Sequence, residues 1–433
     1  MKTEIRLTAA LMVLLLTSFT LSCDSSSENN ETSLSYLTSE LDRNLNPDAS
    51  PDEKSALIAG NTDFAFEMFA QLTDSDENII YSPYSLSLAM AMVWGGAAGN
   101  TAAGIADAFH YTLANDRFHP AFNAVDLALR GREYIDPENG KKLDLVIANA
   151  FWGQIDYHFL ETYLDLLALN YGAGIYELDF MTGPDACTDT INDWINIKTR
   201  GLIRNAIQRG TINSNTRAVL TNAIYFYANW IYEFSKSATS FDYFTLADES
   251  TITTETMHIE ESFRYNETDD CLSVELPYAG NKMSMLVVMP KADYMTFESG
   301  LSRVSLDAVA FELKPARINL SLPKFKIEYA IDEVNSKLES LGMIDAFDPS
   351  AADFSGITGG RDLYISDVLH KAVIAVDETG TEAAATTVVV FAETAVEPAV
   401  PVTVDKPFLF FIRDMETGAI LFMGRVLDPR GDY

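Results

Sequence analysis

The sequence predicts an α+β protein in which helices and strands occupy separate stretches of one long body. Apolar residues recur at helical spacing in Asn61–Phe69 and again in Asp189–Gly210. Alternating or continuous β-branched and aromatic residues indicate strands at Leu145–Gln154 and across Thr251–Pro290. Because no Gly/Ser-rich or charged linker divides residues 54–433, we expect this stretch to fold as one domain.

Composition and motifs exclude several classes of function. The 433-residue chain carries 30 Lys and Arg against 63 Asp and Glu, a formal net charge of −33, and has no basic cluster. Nucleic acids and heparin-like polyanions are therefore poor partners. The five histidines form no H-E-x-x-H motif or zinc-spaced cluster, and G-x-S-x-G, Walker and dinucleotide-binding motifs are missing from the sequence. We expect no enzyme activity, no cofactor and no metal site.

The first residues have the pattern of a secretion signal. Residues 1–22 combine two basic residues with a leucine-rich stretch and end in small residues before Cys23. The sequence around Cys23 resembles the lipid-attachment motif of bacterial lipoproteins, although an ordinary cleaved signal with an incidental cysteine is the alternative. Residues 23–53 are rich in Ser, Asn, Asp and Glu, which predicts a disordered tether. We therefore expect a body at residues 54–433 that is lipid-anchored in the cell envelope or on the cell surface.

The two remaining cysteines, Cys187 and Cys271, leave two alternatives open. They are either buried free thiols or one disulfide, and a count of two does not distinguish these.

The stretch Val376–Pro407 is unusual for a strand. It contains a run of small residues and then the β-branched run Val388–Val390, with no proline or glycine between Thr381 and Glu397. By propensity this is a strand, and a central strand is its ordinary interpretation. A long strand of this kind with few charges must be buried or protected, because an exposed one pairs with other chains.

The residues that flank this stretch resemble those of the serpin family. Gly380–Thr386 resembles the proximal hinge of the reactive-centre loop of inhibitory serpins, and Lys406–Ile412 with Leu421–Val426 resembles the serpin C-terminal strands. Asn78–Met92, a short strand, a Ser-Pro break and an apolar helix, also matches. The resemblance covers the whole body. It implies a serpin fold with three β-sheets, about eight or nine helices and an exposed reactive-centre loop that becomes a strand after a protease cuts it.

The hinge has the side chains that insertion into a sheet requires. On a period of two, Thr381, Ala383, Ala385 and Thr387 would face the core and Glu382 would face outward. None of the inward residues is charged or bulky, so we interpret the loop as able to insert. The resemblance implies these hinge residues: Glu378, Gly380, Thr381, Glu382, Ala383, Ala384, Ala385 and Thr386.

The resemblance also implies two structural clusters. It places Ser82, Ser85, Asn222 and His370 in a buried polar network, the shutter, and Trp230 in an aromatic cluster, the breach. The shutter residues are of the types that form a catalytic triad. A structural hydrogen-bond network is favoured, because the serines start an apolar helix and the other two residues adjoin apolar strands.

The residues at the reactive bond determine which protease the inhibitor traps. Counting from either end of the loop places the reactive bond at Thr394, Ala395 or Val396. No Lys or Arg occurs between Ala372 and Asp405, so a trypsin-like pocket would find no cation. Elastase-like serine proteases fit these small and aliphatic residues best. The partner is then the target protease, held as a covalent acyl complex by a monomeric inhibitor.

Two other functions remain open. Phe391 favours chymotrypsin-like or papain-like cysteine proteases, and Glu393 a glutamate-specific enzyme. The second open function, besides inhibition of these other proteases, is that of a non-inhibitory surface binding or structural protein of the same fold, whose loop is only a substrate. The small residues of the hinge argue against it, because non-inhibitory relatives tend to carry bulky or charged residues there.

Overall fold

A computed structural model describes residues 34–381 and 398–431, and over these residues the chain forms ten α-helices and seventeen β-strands. The helices are α1 (Pro51–Ala70), α2 (Pro83–Trp94), α3 (Gly99–Ala108), α4 (Asn115–Arg130), α5 (Glu161–Tyr171), α6 (Pro184–Lys198), α7 (Tyr294–Ser299), α8 (Arg303–Glu312), α9 (Val334–Ser340) and α10 (Ser355–Thr358). The strands are β1 (Ser35–Leu37), β2 (Ile79–Tyr81), β3 (Tyr134–Ile135), β4 (Lys142–Gln154), β5 (Ile175–Leu178), β6 (Ala218–Asn229), β7 (Ser240–Thr245), β8 (Thr251–Glu267), β9 (Cys271–Pro277), β10 (Met283–Pro290), β11 (Lys314–Pro323), β12 (Phe325–Ala330), β13 (Asp367–Val376), β14 (Gly380–Thr381), β15 (Val400–Thr403), β16 (Phe408–Asp414) and β17 (Ile420–Val426).

Two sheets organise these strands. The first sheet has the order β1-β5-β4-β6-β14-β13-β12, with β3 on β4, and the second has the order β15-β11-β8-β9-β10-β16-β17-β2, with β7 on β8. The predicted α+β class is confirmed. The described residues form two continuous sheets instead of three, because the 17-residue strand β8 pairs with β7 and β11 along most of its length and with β9 at its end. They form ten α-helices instead of eight or nine, since α10 spans only four residues and has no recognisable periodicity.

Helix α2 lies at the centre of the fold and is buried along its whole length. Ser82 caps it, with its hydroxyl accepting the N–H of Ser85, and Pro83 occupies the first turn, as the sequence predicts. The helix contacts β6 and β4 of the first sheet and β17 of the second. The main apolar core therefore lies between the two sheets, with α2 inside it.

A second, smaller core lies on the other face of the first sheet. Helix α6 covers this face, where Ile191 and Trp194 pack near Trp152 and Val219. The helix predicted over residues 189–210 ends at Lys198, because the following residues Arg200 and Gly201 take positive φ angles.

Both described cysteines are free and buried. Cys187 belongs to the core beneath α6, and Cys271 belongs to the core between the sheets. Of the two alternatives that the sequence leaves open, free thiols are therefore the one in the structure.

The predicted disordered tether is wrong from Ser35 onward. Strand β1 pairs antiparallel with β5, and Arg43 donates hydrogen bonds to Asn123 (2.9 Å) and Asp126 (2.6 Å) of α4. The compact body therefore starts at Ser35 and not at residue 54. The polar composition predicts disorder wrongly for this segment, because partners far along the chain stabilise it. No described helix is long and apolar enough to cross a lipid bilayer.

Candidate functional site

The hinge enters a slot between two strands of the first sheet. Strands β6 and β13 are parallel and pair with each other over four residues each, Val219–Asn222 with Asp367–His370. Beyond this paired part, Gly380 and Thr381 of β14 lie between the same two strands. The described residues of β6 and β13 therefore touch at one end and are separated by the hinge at the other.

A tight turn returns the chain from β13 into the slot. The Asp377 carboxylate accepts hydrogen bonds from the Thr379 N–H (2.8 Å), the Thr379 hydroxyl (2.7 Å) and the Gly380 N–H (3.2 Å). The Asp377 N–H in turn donates to the Gly380 carbonyl (3.0 Å). An aspartate that bonds the backbone two residues ahead stabilises such a turn. Asp377, directly before the first hinge residue, thus fixes the direction in which the hinge starts.

Trp230 and Tyr278 hold the turn from the core side. The Trp230 indole N–H donates to the Asp377 carbonyl (3.0 Å), and its backbone N–H donates to the Thr379 carbonyl (2.9 Å). Its ring stacks on Tyr278 with centroids 4.5 Å apart and planes within 9°. The Tyr278 hydroxyl lies 2.6 Å from the Thr381 hydroxyl. Thr381 is only 2% exposed, so it faces the core as the alternation of the hinge predicts.

Glu378 anchors the turn on its other side. Its carboxylate accepts a hydrogen bond from the Thr239 hydroxyl (2.7 Å) and lies 3.5 Å from the Lys324 ammonium. Its backbone carbonyl accepts the Phe234 N–H (2.8 Å). Burial alone would raise the pKa of Glu378, but the Thr239 hydrogen bond and Lys324 outweigh it, so the pKa is lowered. The hinge is therefore held by a charged carboxylate.

The backbone of Gly380 approaches β6 very closely. A Cβ atom at this position would lie 2.0 Å from the Ala228 carbonyl oxygen and 2.8 Å from the Asn229 Cα. Both of these atoms belong to the backbone and have little room to move. A glycine is thus required for the hinge to pair with β6 in this position.

The paired end of the slot is closed by the shutter network. His370 Nε2 accepts the backbone N–H of Ser82 (3.0 Å), so Nδ1 carries the proton and donates to the Asn222 side-chain oxygen (2.7 Å). The Asn222 amide donates to Asn149 Oδ1 (3.2 Å), and the Ser85 hydroxyl donates to the same oxygen (3.0 Å). The four predicted shutter residues are thus brought together. Trp230, the predicted breach residue, lies at the other end of the slot, where the hinge enters.

Asn149 is a member of this network that the sequence analysis missed. It lies on β4 and connects α2 to β6, since its side-chain amide donates to the Ser85 carbonyl (3.0 Å) and its oxygen accepts from Asn222. The signal that could have found it is an asparagine within the apolar strand Leu145–Gln154, because a half-buried polar side chain in such a strand needs hydrogen-bond partners.

The shutter does not have the geometry of a catalytic triad. His370 contacts the Ser82 backbone N–H, whereas the Ser82 hydroxyl caps α2. A general base must reach the hydroxyl proton that it removes. Burial lowers the pKa of His370 to about 3, so the ring is neutral at ordinary pH. The network joins β13, β6 and β4 to α2 and has a structural role.

Several predicted site residues lie outside the described part of the chain. Within residues 34–381 and 398–431, no group of three or more His, Cys, Asp or Glu side chains could hold a metal ion. The following predicted residues lie outside those ranges: Cys23 (lipidation), Glu382, Ala383, Ala384, Ala385 and Thr386 (hinge), and Thr394, Ala395 and Val396 (reactive bond).

Comparison with characterised sequences gives the same family along most of the chain. The family model for Serpin (serine protease inhibitor) matches residues 59–429. The human leukocyte elastase inhibitor is 37% identical over 388 residues, which cover 86% of this chain and 99% of the human protein. An uncharacterized serpin-like protein of Thermococcus kodakarensis is 36% identical over 383 residues, 87% of each chain.

Solved structures agree with the sequence comparison. The thermophilic serpin tengpin in its native state superposes with a TM-score of 0.79 at 30% identity, covering 91% of this chain and 99% of tengpin. Uncleaved ovalbumin superposes with a TM-score of 0.75 at 26% identity, covering 86% of this chain and all of the ovalbumin chain (100%). The slot, the hinge, the family match and these relatives lead to one conclusion: the chain belongs to the serpin family of serine protease inhibitors.

Proposed function

We propose that the chain is a suicide-substrate inhibitor of elastase-like serine proteases. The observation that carries the proposal is the position of Gly380 and Thr381 between β6 and β13. These two strands pair with each other only over Asp367–His370 and Val219–Asn222. The first residues of a new central strand are therefore already in place, with a path ahead of them.

The register of β14 fixes how far that path extends. Thr381 lies opposite Ala228 of β6 and Val376 of β13. Continuing this antiparallel register, Glu382–Thr386 would lie opposite residues 227–223 of β6 and residues 375–371 of β13. The next residue, Thr387, would meet both Asn222 and His370. The stretch of small hinge residues thus matches the slot in length, and the shutter is the barrier to further insertion.

Insertion gives the mechanism its driving force. A protease attacks the loop and forms its acyl-enzyme, which frees the hinge side of the cut loop. The freed segment enters between β6 and β13, where every residue gains ladder partners on both sides and each hydrogen bond contributes about 1 kcal/mol net. The shutter network must open for this, so a kinetic barrier holds the uncut protein in its active form. The attached protease is carried along and distorted before it deacylates.

The sequence of the loop determines the target class. Thr394, Ala395 and Val396 suit the small apolar pocket of an elastase-like enzyme, and the lack of Lys and Arg from Ala372 to Asp405 disfavours trypsin-like enzymes. The similarity to a protein named leukocyte elastase inhibitor supports the same class.

The location of the protein belongs to the same proposal. Residues 1–22 act as a secretion signal, and a lipid on Cys23 holds the monomeric inhibitor in the cell envelope or at the cell surface. Metabolic labelling with a fatty-acid analogue should label the full chain and should not label a Cys23→Ala variant. Labelling of both chains would contradict the lipid anchor.

Mixing the full chain with pancreatic elastase and, separately, with trypsin tests the inhibitory mechanism. We expect a band at the summed mass of inhibitor and elastase on denaturing gels, with cleavage after Thr394, Ala395 or Val396, and no such band with trypsin. A cleaved chain without the band is then melted. A large rise in melting temperature would mean that the loop inserts and that the target class is wrong, whereas no rise would contradict the inhibitory mechanism.

A further inference from the structure

Residues 230–234, the holding segment, follow β6 and bind the hinge turn at residues 377–379. Trp230 binds the first and the third carbonyl group of the turn, through its indole N–H (3.0 Å) and its backbone N–H (2.9 Å). Phe234 donates its backbone N–H to the middle carbonyl (2.8 Å). The turn leads directly into β14, so the position of the holding segment determines where insertion of the hinge starts.

A lysine from another part of the fold fixes the holding segment. Lys141 lies in the hairpin that connects β3 to β4, and its ammonium donates to the carbonyls of Trp230 (3.1 Å) and Ile231 (2.7 Å). The Oε1 atom of Glu233 lies 3.3 Å from the same ammonium. The Lys141 side chain is 14% exposed and that of Glu233 only 3%, so water weakens these contacts little. A single cation thus binds three residues of the holding segment.

The hairpin that carries Lys141 is itself firmly attached to the first sheet. Its turn is closed by the Asp136 N–H, which donates to the Lys141 carbonyl (2.7 Å). The Lys142 N–H donates to the side-chain oxygen of Asn229 (3.0 Å), and from Leu143 onward β4 pairs with β6. Lys141 therefore holds the segment from a support that does not belong to the hinge.

Loss of the Lys141 ammonium would leave buried polar groups of the holding segment without partners. The carbonyls of Trp230 and Ile231 would lose a charged donor. Glu233 would become an unpaired buried carboxylate, since its Oε1 atom has no hydrogen-bond partner among the described residues. Movement of the segment toward water would relieve this cost, and it would draw the Trp230 N–H groups away from the hinge turn.

We propose that Lys141 is a positioning residue for protease inhibition, which acts by holding Trp230 and, through it, the hinge turn ready for insertion. The inference rests on the proposed function. Once the acyl-enzyme has formed, insertion of the loop competes with hydrolysis of the acyl bond by water, and the ratio of the two rates decides whether the protease is trapped or released. Lys141 thus acts on this partition and not on the first attack of the protease.

Reaction of the full chain with pancreatic elastase to completion, followed by denaturing gels, measures the partition as the ratio of covalent complex to free cleaved chain. Lys141→Met should lower this ratio about tenfold, a change that corresponds to about 1.4 kcal/mol, the size of one hydrogen bond to a charged group. The rate at which uncut chain disappears should stay the same. A variant that is only less stable would contain less folded chain, but the ratio would not change.

Two further variants control for charge and for location. Lys141→Arg keeps the charge and the donors, so it should restore most of the wild-type ratio. Lys142→Met is the matched control, because neighbouring side chains of a strand point to opposite faces and the Lys142 ammonium lies 4.3 Å from the centre of the Tyr227 ring. It should give the wild-type ratio. If Lys141→Met does not fold, Glu233→Gln decides, since it removes the ion pair but keeps the side-chain shape, and the ratio should fall about threefold.

The outcomes separate this role from the proposed function. An unchanged ratio in Lys141→Met, or in Glu233→Gln where the first variant does not fold, would overturn the role of Lys141 and leave the proposed function intact. An equal fall in Lys142→Met would also overturn it. Absence of a covalent complex from the wild type would contradict the proposed function, and the role of Lys141 with it.

Discussion

Acidification should weaken the shutter through His370. The neutral ring satisfies both of its nitrogens, as Nε2 accepts from Ser82 and Nδ1 donates to Asn222, whereas a protonated ring would turn a second N–H against the Ser82 N–H. Burial lowers the pKa from 6.5 to about 3. The unfolded chain therefore takes up a proton near pH 6.5 and the folded chain does not. The stabilisation is complete above pH 6.5 and is lost as the pH falls toward 3, by about 2 kcal/mol at pH 5.

Urea unfolding at pH 7.5 and pH 5.0 measures this loss against a His370→Asn variant. The free energy of unfolding of the wild type should fall by about 2 kcal/mol more than that of the variant. His119, whose pKa burial also lowers to about 3, titrates in both proteins and cancels in the comparison. An equal fall in both proteins would refute the reasoning. If the variant does not fold, NMR of the wild-type imidazole still decides, since titration of His370 near pH 6.5 would equally refute it.

Three further predictions concern the hinge. Thr381→Arg should abolish the covalent complex with elastase but still allow cleavage, because residue 381 is only 2% exposed and a charged side chain does not fit there. Thr381→Ser, the control, should inhibit normally. A covalent complex with the arginine variant would show that insertion does not use this slot. Gly380→Ala places a Cβ 2.0 Å from the Ala228 carbonyl oxygen. It should therefore lower the free energy of unfolding, measured in urea, by about 1–3 kcal/mol. Unchanged stability would mean that β14 does not pair with β6 at this position. Trp230→Phe keeps an aromatic ring but removes the 3.0 Å hydrogen bond to Asp377 and part of a buried side chain, so the same assay should record a loss of at least about 1 kcal/mol. No loss in the phenylalanine variant would contradict the role of that bond.

The sequence predicts those features that depend on local pattern or on side-chain size. The strand alternation placed Thr381 toward the core, and the Ser-Pro break predicted the start of α2, because both depend on neighbouring residues. Partners far apart in sequence were not predictable in this way. Asn149 joins Ser85 and Asn222 across separations of 64 and 73 residues, which only the assembled sheet determines.

The error at the amino-terminal segment has the same origin. Its composition indicates disorder, but Arg43 reaches a buried carboxylate 83 positions later, and strand β1 finds a partner on β5. A local signal did exist, since Ser50 and Glu53 form a capping box at the start of α1. Composition averages over such a segment, whereas a single capping pair or salt bridge can order it.

Strand β1 also separates the start of the described body from the hinge. Its neighbours on β5 are level with Val219 of β6, whereas the hinge meets β6 at Ala228, about 30 Å farther along the strands. Ser35 therefore joins the first sheet at the end where β6 and β13 pair with each other, and not at the end where the hinge enters. The pairing of β1 thus leaves the hinge end of the slot free of the first described residues of the chain.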